Sequence, residues 1–75
     1  MGITVFDYVA FERLCAYKGI TKSQVANALG ISRVTLWRKS IGISDFTRGE
    51  LDIIADLLAE DYHELAPIFF AEKVS

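Results

Sequence analysis

The stretch "GITKSQVANALGISRVTLWRKSIG", residues 19–42, decides the fold. Two short helical runs flank Gly30. Thr21 followed by Gln24 three residues later is a capping box, which starts a helix over about Lys22 to Leu29. Val25, Ala26 and Leu29 form its apolar stripe. Gly30 ends that helix and supplies the left-handed backbone a tight turn requires. Ser32 then caps a second helix over about Arg33 to Ser40. Ala26, small, lets the second helix approach the first, and Leu29, Ile31 and Leu36 seal the corner. The pattern predicts a helix-turn-helix unit over about residues 21–40. Val34 or Leu36, with Trp37 and Ile41, is expected to anchor the second helix, Trp37 packing in the core. That leaves a broad exposed face.

The flanks extend the helical pattern. Asp7 or Thr4 can cap a first helix ending at Lys18, with Tyr8, Phe11, Leu14 and Cys15 on one face and Gly19 as its stop. Thr47 and Glu50 make another capping box for a helix over about Arg48 to Ala59, and Phe46 can staple onto Leu51. Leu51, Ile54, Ala55 and Leu58 are its core stripe. Asp61 with Glu64 can cap a turn, and Pro67 fits the first position of a short last helix over about Pro67 to Val74. The expected fold class is all-α: a compact bundle of four helices plus a short C-terminal one, in one domain over residues 1–75.

Composition narrows the function. The chain has 75 residues, and 24% of them are charged against 52% hydrophobic, which is a globular balance and not a disordered one. Cys15 is the single cysteine, so no internal disulfide or cysteine-rich zinc site is available. The N-terminus has no basic run before its apolar residues and does not read as a signal peptide. The longest apolar run, Leu65 to Ala71, is far short of the roughly 20 residues of a membrane span. A cytoplasmic protein is expected. His63 is the only histidine, the acids do not converge and no glycine-rich phosphate loop exists. The chain therefore does not read as an enzyme, and no metal, cofactor or small-molecule substrate is expected.

Residues 19–42 resemble the lambda-repressor-like helix-turn-helix family, which holds phage repressors, Cro proteins and related bacterial regulators. The Thr cap, the Ala, the Leu-Gly pair and the Ser cap recur there at these spacings. "FTRGELDIIADLLAED" is similar to the fourth helix of those domains, and "IFFAEKVS" resembles the ending of small phage regulators of Gram-positive hosts. Lys22 departs from the family, which often has Gln at that position. The resemblance implies a sequence-specific regulator, Cro- or repressor-like, that acts on double-stranded operator DNA in a bacterial host cell. It places helix 33–40 in the major groove. Arg33, Val34, Thr35 and Arg38 are then the candidates for base contacts: Arg forks onto guanine, and Val packs on a thymine methyl. Lys22, Gln24, Ser32 and Lys39 are the candidates for phosphate contacts. A module this small is expected to act as a homodimer on a palindrome, and Ile68, Phe69, Phe70 and Val74 are the candidate dimer seam.

The net charge of −2 argues against a nucleic-acid partner only until the charges are placed. Residues 13–48 hold seven basic residues and one acid, whereas residues 49–75 hold seven acids and one Lys. A basic face and an acidic back are expected. The rival reading is a protein-interaction module of antirepressor type, which keeps the helix-turn-helix fold and uses the acidic fourth helix and tail to bind a protein.

Overall fold

Local capping sets most of the helix ends. In the computed structural model, which describes residues 2–74 and the side chains of residues 4–72, Asp7 Oδ1 accepts the Ala10 N–H at 3.0 Å. That bond opens α1 (Tyr8–Lys18). Thr21 opens α2 (Lys22–Leu29): its Oγ1 accepts the Gln24 N–H at 3.1 Å, and Gln24 Oε1 accepts the Thr21 N–H at 2.7 Å. Gly30 adopts φ 69°, and the Ile31 N–H reaches back to Ala26 O at 3.0 Å. This is the closing pattern that satisfies the last carbonyls of a helix. Ser32 Oγ accepts the Thr35 N–H at 3.1 Å and opens α3 (Arg33–Ser40). Thr47 and Glu50 repeat the capping box at 3.1 and 2.9 Å to open α4 (Arg48–Leu57).

These helices bury one shared core. Phe11 and Cys15 of α1 meet Val25 and Ala26 of α2, Leu36 of α3, and Leu51, Ile54 and Ala55 of α4. Ala26 is 2% exposed, as its size and place in the corner require. Ser40 is also buried, and its hydroxyl donates to Leu36 O at 2.8 Å, so no polar atom is stranded there. Burial raises the Cys15 thiol above its usual pKa, so this cysteine acts as a small apolar residue.

The chain ends differ from the expected pattern. Asp61, not Pro67, begins the last helix, α5 (Tyr62–Phe69), with Asp61 Oδ1 accepting the His63 N–H at 3.0 Å. Pro67 lies inside that helix. It has no N–H to donate, and α5 ends two residues later. Residues expected to continue as helix instead form β2 (Ala71–Val74), antiparallel to β1 (Gly2–Val5), with Val5 opposite Ala71 and Gly2 opposite Val74. The fold is thus the expected bundle of five helices with a small two-stranded sheet added. Phe6 explains why the two ends meet. Its ring lies 5.2 Å from Phe11, 4.8 Å from Phe46 and 6.1 Å from Phe69, between centroids. The Asp7 N–H also donates to Ile68 O at 2.8 Å. An aromatic cluster therefore fastens the entry to α1 against the exit from α5.

The same packing takes up two of the four residues of the candidate dimer seam. Phe69 is 4% exposed and Ile68 packs against the core, so both are committed within the chain. Phe70 is exposed, and the Val74 side chain lies outside the described residues.

Candidate nucleic-acid interface

A helix turns by about 100° per residue, so α3 has room for one buried stripe. Leu36 and Ser40, four apart, occupy it. Arg33, Val34, Trp37 and Arg38 consequently lie on the outer arc, all of them exposed. Two expectations are corrected here. Trp37 is 49% exposed and not a core residue, and Ile41, expected as an anchor, is 42% exposed. Both fall on the arc beside Val34 because Leu36 and Ser40 already fill the inward positions.

The base-contact candidates separate by geometry. Arg33, Val34 and Arg38 share the exposed arc, with Val34 57% exposed. Thr35 is half-buried, and its hydroxyl accepts a hydrogen bond from Ser32 Oγ at 3.0 Å. Ser32 therefore serves the helix end on both sides of its hydroxyl. The Gln24 side chain is held by its own capping box.

The two lysines expected at phosphates have partners inside the chain. Lys39 Nζ donates to Glu50 Oε1 at 2.7 Å and to Asp45 O at 3.2 Å, which ties α3 to α4. Burial pushes the Glu50 carboxyl up, but the hydrogen bonds from Lys39 and Thr47 outweigh it and hold the group below its usual pKa. Lys22 Nζ donates to Glu12 Oε2 and to the Tyr8 hydroxyl at 3.0 Å, and it lies 5.3 Å from the centre of the Tyr8 ring. The hydrogen bond between them lowers the Glu12 pKa and raises that of Lys22.

This pairing reshapes the electrostatics. Lys18 meets Glu60 at 3.2 Å and Arg48 meets Asp52 at 3.2 Å, alongside the Lys22–Glu12 and Lys39–Glu50 pairs. Of the basic residues in the middle of the chain, Arg13, Arg33 and Arg38 alone make no ion pair among the described residues. The charge separation seen along the sequence is thus largely folded away, and two of the three unpaired arginines are on α3. No local pattern marks Tyr8 and Glu12 as part of this surface. Their spacing of four puts them on one face of α1, but only the crossing of α1 and α2 sets that face beside Lys22.

A cleft of about 380 Å³ separates α1 from α3, with Phe11 and Leu36 as its floor and Tyr8, Lys22, Arg33 and Trp37 around it. The exposed arc of α3 and the Lys22 site therefore belong to one continuous surface.

The family model described as "Bacterial regulatory protein, Fis family" matches residues 19–39. The matched span is the α2–turn–α3 unit and covers less than half of the chain. It supports a helix-turn-helix regulator that binds DNA. No curated protein and no solved structure matches the chain. Among the described residues, no helix is long and apolar enough to cross a membrane.

Proposed function

We propose that this chain is a lambda-repressor-like regulator of Cro or repressor type, of phage origin, that acts in the bacterial cytoplasm on double-stranded operator DNA. In this reading α3 enters the major groove. Arg33 and Arg38 fork onto guanines, Val34 packs on a thymine methyl, and Thr35 touches a base at the groove edge. Ser32, Gln24 and the N-termini of α2 and α3 face the phosphates. The observation that carries the reading is the α3 arc: a capped, tightly turned helix that exposes two arginines without acidic partners among the described residues.

The test is direct. Arg33→Ala and Arg38→Ala are each expected to cost about 1–3 kcal/mol on the best site selected from random duplex, and to relax preference at one base position. Equal binding by wild type and both folded variants would remove the base-reading role. A module of this size covers roughly 600–1,000 Å² of DNA, so the selected site is expected to be a palindrome read by two copies about one helical turn apart.

One observation favours a second reading. Val34, Trp37 and Ile41 place apolar surface along α3, and Ile43 continues it at 64% exposed. A protein partner, as for an antirepressor, would use such a stripe. A salt titration separates the two. A steep fall of log K against log salt marks phosphate contact, whereas no binding to any duplex at low salt marks the protein partner.

A further inference from the structure

We propose that Glu12, together with Tyr8, holds the Lys22 ammonium away from the phosphate backbone and so sets how strongly this surface grips DNA. The inference rests on the DNA-binding reading above and concerns a residue outside the helix-turn-helix unit. Lys22 is the first residue of α2, beside the Thr21 cap and across the cleft from Arg33. Three contacts converge on its ammonium: the Glu12 carboxylate, the Tyr8 hydroxyl at 3.0 Å and the face of the Tyr8 ring at 5.3 Å. Tyr8 and Glu12 are four apart on α1, so both side chains reach Lys22 from one helical face. Nothing comparable restrains Arg33, which makes no ion pair among the described residues.

The pair is withheld but not locked. The Lys22 and Glu12 side chains are 37% and 38% exposed, so a phosphate can compete for the ammonium. That exchange leaves the Glu12 carboxylate unpaired beside a polyanion, and the repulsion offsets the new contact. Lys22 then contributes little net charge to the interface in the wild type. Glu12 acts through Lys22 and is a positioning residue.

The experiment measures binding of a selected duplex and a random duplex against salt, with folding checked by circular dichroism. Glu12→Gln is expected to bind both duplexes several-fold tighter, and its log K is expected to fall with log salt more steeply by about 0.9, the slope of one added phosphate contact. Lys22→Met alone is expected to change little, and Lys22→Met added to Glu12→Gln to erase the gain. The proposal is overturned if the gain survives in the double variant, because the effect is then general loss of negative charge. The same holds if Asp56→Asn on α4 reproduces both gain and slope. It is also overturned if Lys22→Met by itself lowers affinity and slope, since Lys22 then already contacts phosphate. Binding by Glu12→Gln where wild type shows none supports it. Absence of duplex binding by every variant at low salt removes the DNA reading and this inference with it.

Discussion

Ala59 holds a left-handed backbone, φ 55°, just beyond the end of α4. The Ala59 N–H donates to Asp56 O at 3.1 Å and the Glu60 N–H to Ala55 O at 3.0 Å, which are the closing bonds Gly30 allows after α2. A Cβ in that conformation costs roughly 1–2 kcal/mol, and a glycine there gives back part of that through its freer unfolded chain. Ala59→Gly is therefore expected to stabilise the fold by about 0.5–1 kcal/mol, read as a higher urea midpoint with an unchanged slope. Trp37 gives a second single-residue test. A Trp removed from a core costs about 3–5 kcal/mol, but Trp37 is half-exposed, so Trp37→Ala is expected to cost about 1 kcal/mol by circular dichroism. It is expected to weaken duplex binding at the same time. Glycine stops and capping serines can be read from sequence because their reasons lie within four residues. The outward turn of Trp37 could not, because Leu36 and Ser40 won the inward stripe only once α3 met its neighbours.

At the scale of elements, the α3–α4 junction depends on one carboxylate. Glu50 Oε1 accepts from Lys39 at 2.7 Å and from the Thr47 N–H at 2.9 Å, so it both caps α4 and ties α3 down. Its pKa is depressed in the fold, so its contribution is present above the unfolded carboxylate pKa and is lost as pH falls through the folded value. Stability is expected to drop on acidification below about pH 4.5, a usual Glu range. Glu50→Gln keeps an acceptor for the cap but removes the ion pair. It is expected to cost about 1 kcal/mol at pH 7 and to flatten the acid-side loss, measured by urea unfolding at several pH values. The Thr47–Glu50 box was legible in the sequence, but the Lys39 partner was not, since it comes from the preceding helix. The same logic covers the chain end. Asp61 and Glu64 carry a local signal for α5, yet β2 has no local reason to be a strand. It pairs with β1, some seventy residues earlier, because Phe6 and Phe69 draw the two ends together.

For the whole molecule, the decisive property is where the charges are placed, and not how many there are. Seven basic residues between 13 and 48 would give a phosphate-binding face of considerable strength if all stood free. Folding sets four of them against acids, and three of those acids, Glu50, Asp52 and Glu60, come from the acidic half that was expected to form a separate back. Of these pairs Arg48–Asp52 is solvent-exposed and adds little stability, whereas Lys39–Glu50, with both side chains 16% exposed, is the most buried of the four. Their larger effect falls on binding, because each removes a cation that would otherwise displace counterions from DNA. Arg13, Arg33 and Arg38 remain. An arginine in the groove displaces condensed counterions whether it ends on a base or on a phosphate, so at about 0.9 per cation one copy of the chain is expected to show a log K against log salt slope near −3, about half of what seven free bases would give. A titration of wild type on its selected site between 50 and 200 mM salt measures this, with the slope divided by the number of copies bound. A slope near −6 per copy would show that the ion pairs open on DNA and that the folded arrangement does not limit the interface. A slope near −3, with base preference lost in Arg33→Ala and Arg38→Ala, would mean an interface that relies on a few arginines reading bases more than on a general attraction to phosphate.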